Sequence, residues 1–271
     1  MQTHSSSVVA VKAARALSTL TEREFRSLDD YLRDVERNST ALRQANPSHA
    51  SLQNTQREIV GALDDDFADI EAAKTRTQEA IRSVIERVEM AKRRAAEYGA
   101  MALSDGMTVL THDYSSTVLE AIELAGRDGA ELSVYVTEAR PRYLGRKSVR
   151  TLAAVDRIDP HLIVDSACGH FLSECDRVLV GMDCIVGDTL FNRVGTFPLA
   201  ATAAECDVPV TVIGSGAKII DDGFVFENEF RASSEVMREP AEGFWIENPA
   251  YDATPLELVD SVITDEGMGA F

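Results

Sequence analysis

A change of hydrophobic period at Gly99 constrains this chain more than any other feature. Before it, Val8, Val9, Val11 and Ala14 are followed by Leu17, Leu20, Phe25, Leu28, Leu32 and Val35 at spacings of three and four. That is the period of an amphipathic helix. Residues 38–51, NSTALRQANPSHAS, hold Pro47 among clustered polar residues, so one helix stops there and another begins. Leu52, Ile59, Val60 and Leu63 form the next stripe, and a long polar-faced helix runs from about Asp69 through Ile81, Val84, Ile85, Val88 and Met90 to Tyr98. Residues 5 to about 98 thus read as a helical module. It either packs on a neighbour or a second subunit, or lends its first turn as a lid over a ligand.

After Gly99 short apolar runs alternate with helical patterns. The strands are MTVLTHD (107–113), ELSVYVTE (131–138), HLIVD (161–165), RVLVGMD (177–183) and VPVTVIG (208–214). Helices are expected from Ser115 or Ser116 to about Gly126, from about Lys147 to Asp156, up to about Leu172, and from about Thr196 to Cys206. Several strands are apolar at consecutive positions, as in a sheet covered on both faces. The repeated order implies a parallel, doubly wound sheet with right-handed crossovers. The expected fold class is α/β, with an N-terminal helical domain over 1–100 followed by a Rossmann-like parallel-sheet domain over 101–271. Ligands of such sheets bind outside the carboxyl ends of the strands.

Composition restricts the partners. The longest apolar runs are strand-length, well short of the roughly 20 residues that cross a bilayer, and the start MQTHSSSVVAVKAARALSTL is broken by Lys12 and Arg15. It reads as a first helix and not as a signal peptide, so no membrane contact and a cytoplasmic location are expected. Four cysteines agree with that. Forty-five acidic residues face 27 basic ones, for a net charge of −18, and the lysines are only Lys12, Lys74, Lys92, Lys147 and Lys218. Direct nucleic-acid binding is disfavoured, and an anionic ligand needs a local cluster of arginines and N–H donors. The acidity reads as adaptation to a halophilic, high-salt cytoplasm, where a Debye length of about 3 Å at 1 M salt makes self-repulsion tolerable. The alternative is an ordinary acidic protein whose arginine bias has another cause.

The first strand ends in Thr111-His112-Asp113-Tyr114-Ser115-Ser116. Ser115 and Ser116, at a helix start, are candidates for holding an anion, or Ser115 is simply an N-cap. Asp113 opposes a phosphate lying directly over it unless it faces a ribose hydroxyl or takes up a proton. The second strand ends in Glu138-Ala139-Arg140-Pro141. There Arg140 presents a bidentate fork to a phosphate, with Glu138 holding it, or else forms a structural ion pair. Arg142 and Arg146 supplement it or lie on the surface. The third strand ends in Asp165-Ser166-Ala167-Cys168-Gly169-His170, where Cys168 is either an activated thiol at a helix start or an inert one. The cysteine and histidine spacings match no metal pattern, so no metal site is expected.

The fourth strand carries the strongest single feature. Asp183 leaves a fully apolar strand and is placed to act as general acid or base on a sugar hydroxyl. Asn192 and the Gly195-Thr196 turn follow it, offering donors at the start of a helix. Lys218 follows the last of these strands as a charge for a ligand phosphate. The turn-rich stretch from Asn248 to Pro255 precedes a short last helix and is expected to pack near the site or a subunit contact.

The stretches VLTHDYSSTV (109–118), VTEARPRYLGR (136–146), VDSACGHFLSECDRVLVGMD (164–183), FNRVGTFPLATAA (191–204) and ENPAYDATPLELVDSVIT (247–264) occur in one order across the second domain. In that order they resemble the family of the alpha, beta and delta subunits of translation initiation factor 2B, which also holds the ribose 1,5-bisphosphate and methylthioribose 1-phosphate isomerases. The helical first part matches only in general design. The resemblance implies two-domain subunits that pair through their α/β domains and bind ligand phosphates at the strand ends. It makes Arg140 the phosphate arginine, Asp183 the catalytic aspartate, and Asn192 and Lys218 ligand contacts. Two departures stand out. Asp113 occupies the place of the isomerases' catalytic cysteine, and SSSVVAVKAARAL stands in the neighbourhood of their R-G-A phosphate segment.

Two functions follow from this comparison. The first is a regulatory initiation-factor-like subunit that binds a sugar phosphate or nucleotide and lacks the catalytic cysteine. The second is an aldose-phosphate isomerase of the ribose 1,5-bisphosphate type, in which Asp183 and Asp113 share proton transfer. Either would work without a cofactor, as a homodimer or higher oligomer, or with an initiation factor or paralogous subunit. A dinucleotide-dependent oxidoreductase is not supported, because no G-x-G-x-x-G follows any strand.

Overall fold

The computed structural model describes residues 6–220, 225–239 and 242–269. They divide into two compact units, residues 1–91 and 92–271. Residue 5, where the helical reading begins, lies outside the described residues.

The first unit is helical: α1 (Ser6–Thr21), α2 (Leu28–Gln44), α3 (Ala50–Gly61) and the first part of α4 (Ile70–Met101). The continuous stripe from Val8 to Val35 is in fact two helices. The cause is local: the Ser27 side chain accepts from Asp30 N–H, and Asp29 and Asp30 fill the first turn of α2, where carboxylates suit the helix dipole. The core of this unit gathers Leu17, Leu20, Tyr31, Val35, Ile59 and Val84. The Tyr31 hydroxyl, buried there, donates to Thr77 at 2.7 Å, which removes the cost of an unpaired phenol.

The second unit is the expected α/β fold. In sequence it runs β1 (Thr108–Thr111), α5 (Ser116–Arg127), β2 (Leu132–Thr137), α6 (Gly145–Leu152), β3 (Ile158–Ile163), α7 (Cys168–Phe171) and β4 (Arg177–Gly181). After these come β5 (Cys184–Val186), β6 (Thr189–Arg193), α8 (Thr196–Glu205), β7 (Val210–Ile213) and β8 (Ile219–Ile220), then β9 (Tyr251–Pro255), β10 (Ser261–Thr264) and β11 (Gly267–Gly269). Seven strands form one sheet in the order β11-β10-β7-β4-β1-β2-β3, parallel except for the β10–β11 pair. Its two faces bury separate clusters, one around Val109, Ile122, Val134 and Leu179, the other around Leu110, Val178, Val180 and Leu199. Apolar side chains on consecutive strand positions are needed because both faces are covered.

A second sheet, β8-β5-β6-β9, lies outside the strand–helix alternation read from sequence. It grows from a tight hairpin in which Val186 pairs with Thr189 around Gly187-Asp188, with Gly187 at φ 53°. The short last helix expected after Pro255 is absent; a single 3₁₀ turn, Leu256–Leu258, leads into β10 instead. The β-branched Val262 and Ile263 are buried between layers there, which favours a strand.

Candidate active site

The carboxyl ends of β1, β2 and β4 and the small sheet enclose the site. Asp113 leaves β1 in the left-handed region, φ 60°, and its carbonyl accepts from Ser148 Oγ at 2.7 Å. Asp183 follows β4, with its N–H bonded to Phe191 O at 3.0 Å. Both carboxyls are buried, and both face one guanidinium from β6. Arg193 Nε is 3.7 Å from Asp113 Oδ2 and 3.5 Å from Asp183 Oδ2. Arg193, to which the sequence alone assigns no role, is therefore the link between the two acids. Its signal was weak, because an arginine in an unrecognised strand has no period to mark it.

The two acids share one cation. Burial pushes the Asp113 carboxyl upward, against the opposing pull of Arg193 and His112, while the charge of Asp183 adds to the rise. The repulsion expected between an anionic Asp113 and a phosphate is relieved to the extent that the group takes up a proton. Burial works against the charge of Arg193, yet Asp183 and then Tyr251 and Asp113 raise its pKa above the ordinary value. The guanidinium also stands over the Tyr251 ring, 4.8 Å from its centroid.

Neighbouring groups hold this arrangement in place. His112 Nε2 lies 2.8 Å from Val194 O and Nδ1 lies 2.6 Å from Thr137 Oγ1. A carbonyl only accepts, so Nε2 carries a proton, and in the neutral ring the Thr137 hydroxyl donates to Nδ1. Gly195, at φ 107°, packs on that ring, and a Cβ there would come 2.5 Å from it. The backbone N–H groups of Gly195 and Phe197 donate to Asp252 Oδ2 at 2.7 and 3.0 Å. The donors expected at the start of α8 are thus turned to a protein carboxylate. Asn192 Nδ2 donates to Thr196 Oγ1, and that hydroxyl donates to Arg193 O, at 3.1 and 2.7 Å. Asn192, Gly195 and Thr196 all brace the Arg193 loop.

Lys218 sits behind Asp183. It is buried, Nζ donates to Met182 O at 2.7 Å, and burial lowers its pKa against the opposing effect of Asp183. Ser115 caps α5, accepting from Val118 N–H, and Ser116 opens that helix. A Cβ at Gly181 would meet Ser115 Oγ at 2.5 Å, so glycine is what lets β4 pass this cap.

On the β2 side, Asp165 accepts from the N–H groups of both Ala139 and Arg140 at 2.7 Å, fixing the loop that carries Arg140. Glu138 does not hold Arg140. It pairs with Arg146 at 2.7 Å, because two residues along the loop the backbone has turned and Arg140 Nη2 instead donates to Val236 O at 3.0 Å. Arg142 joins the site rather than the surface. Arg231 and Asn248, from the segment before β9, complete the lining together with Arg140, Arg193 and Asp113. Cys184 is a buried thiol pushed up to about 12 by burial and by Asp183, and no nucleophilic role follows from it. Among the described residues no cluster of His, Cys, Asp and Glu could hold a metal, and no helix is long and apolar enough to cross a membrane.

Comparison with known proteins shows the family of the chain. A protein of Haloterrigena turkmenica named ribose 1,5-bisphosphate isomerase is 32% identical over 98% of this chain and 86% of its own length. One of Thermococcus kodakarensis with the same name is 30% identical over 99% of this chain and 87% of its own. The crystal structure of the Pyrococcus horikoshii translation initiation factor eIF-2B superposes with a TM-score of 0.85 at 27% identity, covering 100% of this chain and 93% of that one. The family model described as the initiation factor 2 subunit family matches residues 2–270, and the chain belongs to that family.

Proposed function

We propose that this protein is an aldose-phosphate isomerase of the ribose 1,5-bisphosphate isomerase type, using a pair of carboxyl groups where the resembling enzymes use a thiol and a carboxylate. The observation that carries the reading is Asp113 and Asp183 facing one Arg193 nitrogen while burial holds Asp113 toward its neutral acid. Isomerisation moves a proton between adjacent carbons. It needs one group that takes a proton and one that gives one, and two carboxyl groups facing one guanidinium, with Asp113 shifted toward its neutral acid, offer both. Asp113 is the acid at the ring oxygen: its proton opens the furanose and leaves C1 as an oxocarbenium carbon that keeps its phosphate ester. Asp183 takes the C2 proton, which gives an enol phosphate between C1 and C2, and returns that proton to C1, while the C2 hydroxyl gives its proton to the Asp113 carboxylate as C2 becomes the ketone. Arg193 stabilises charge between the two, and Lys218 holds the Asp183 turn from behind.

The relatives of Haloterrigena turkmenica and Thermococcus kodakarensis, named as isomerases along nearly the whole chain, support this over a purely regulatory subunit. We also propose dimers formed through the α/β unit and a high-salt setting, the latter on the charge of −18. The test is conversion of ribose 1,5-bisphosphate by the purified chain and by Asp183→Asn. The variant is expected to bind the sugar phosphate and to lose turnover by at least about a thousandfold, the scale of a missing general base and its charge. Binding without turnover by the unaltered chain would replace the isomerase reading with the regulatory one.

A further inference from the structure

We infer that Arg142, Arg193 and Arg231 form a seat for a phosphate monoester, with Arg231 supplied by the segment that precedes β9. This deepens the function proposed above and rests on it for the sugar to which the phosphate is joined. The three side chains are only 15%, 15% and 10% exposed. Three guanidiniums withdrawn from water beside one another repel, and the mutual effect is visible: burial and then Arg231 lower the pKa of Arg142, with Arg193 adding to it. Such a cluster is costly unless anions offset it.

The protein's own anions do so loosely. Arg142 lies 3.9 Å from Glu235, Arg231 3.6 Å from Glu229, and Arg193 3.7 and 3.5 Å from Asp113 and Asp183. All are longer than the 2.7–2.9 Å or so of a charge-assisted hydrogen bond. Asp113, shifted toward its neutral form, offsets least. Arg193 Nη1 is buried and has no hydrogen-bond partner. It belongs to a side chain that lines the same cavity as Arg142 and Arg231.

The three guanidiniums come from β6, the loop after β2 and the segment before β9, and line one cavity. A phosphate monoester, with three terminal oxygens and up to two negative charges, can accept from all of them, and guanidinium is the side chain that forms paired bonds to such oxygens. Arg231 is fixed for this role through its backbone, its N–H donating to Asn248 O at 2.8 Å. Asn248 in turn donates to Ala232 O and to Glu235 at 3.0 and 3.3 Å.

The experiment is calorimetric titration of the full chain with inorganic phosphate, ribose 5-phosphate and adenosine 5′-monophosphate, with ribose as the uncharged control, for the unaltered protein, Arg231→Gln, Arg231→Lys and Arg142→Gln. Phosphate-bearing probes should bind and ribose should not. Loss of either arginine should weaken binding at least about tenfold, one charged hydrogen bond's worth, with Arg231→Lys in between. Preference for ribose 5-phosphate or for the nucleotide identifies the ester, and either supports the seat. Affinities within twofold of the unaltered protein in both glutamine variants would overturn it, as would failure of every phosphate probe to bind. If Arg231→Gln does not fold, Arg142→Gln gives the same reading. Arginine-dependent binding without turnover leaves the seat standing and removes the isomerase. Turnover with an unchanged KM in both glutamine variants does the reverse.

Discussion

Among single residues, Asp113 has the most to decide. Burial raises its pKa in the folded protein, so folding binds a proton more tightly than the unfolded chain does. The stabilising contribution is complete below the unfolded value and is lost as pH rises through the raised folded one. At neutral pH the ionisable carboxyl therefore costs stability. Asp113→Asn should raise the denaturation midpoint at pH 7.5 and lose that advantage at pH 3.5, a comparison made by thermal melts at the two pH values; equal shifts at both would contradict the burial argument. The same variant should lose most turnover, because an amide cannot return the proton. In the unaltered chain turnover should fall as pH rises through the Asp113 value, leaving an alkaline limb in the pH profile that the variant lacks. Asp183 and Arg140 were legible in sequence because each ends an apolar strand before a polar turn. Arg193 and Arg231 were not, since neither lies at the end of a run with a recognisable period and only the folded chain brings them beside Asp113.

At the element scale, the site depends on how the small sheet presents Arg193. Asp252 on β9 accepts from the N–H groups of Gly195 and Phe197, while β6 pairs with β9 through Asn192–Asp252 and Arg193–Tyr251. Asp252→Ala should cost about 1–3 kcal/mol in chemical denaturation, for the loss of two backbone hydrogen bonds, one part-buried and one exposed. Gly195→Ala meets two obstacles, a left-handed φ and a Cβ 2.5 Å from the His112 ring, and should cost about 2–4 kcal/mol. Both should weaken sugar-phosphate binding. A Gly195→Ala protein as stable as the original would show that His112 can move without consequence. The five strands of the alternating pattern could be read because covered strands are apolar at consecutive positions. The second sheet was not legible because β5 and β8 are only three and two residues long, while β6 and β9, five residues each, mix polar with apolar side chains. The V-G-D-T turn between β5 and β6 was its one local signal. Likewise the break before α2 lay in Ser27-Leu28-Asp29-Asp30, a cap that the continuing hydrophobic stripe concealed.

At the scale of the whole molecule, net charge and family set the expectations. A charge of −18 on 271 residues means that self-repulsion weakens as salt shortens the Debye length. The denaturation midpoint should therefore rise steadily between about 0.1 M and about 2 M KCl; a flat or falling curve would assign the acidity to another cause. The division into a helical and an α/β part was legible from the change of period at Gly99, while the chain boundary between the compact units falls at Ala91–Lys92, within helix α4. A helix that passes through such a junction shows no break in its pattern, so hydrophobic period alone does not mark it. A carboxyl pair is proposed to perform an isomerisation that the resembling enzymes run with a thiol. The decisive measurement is phosphorus-31 NMR of ribose 1,5-bisphosphate incubated with the full chain in KCl buffer. Conversion to a ketose bisphosphate, abolished by Asp183→Asn, is expected; an unchanged spectrum from a protein that binds the sugar phosphate would overturn the isomerase reading.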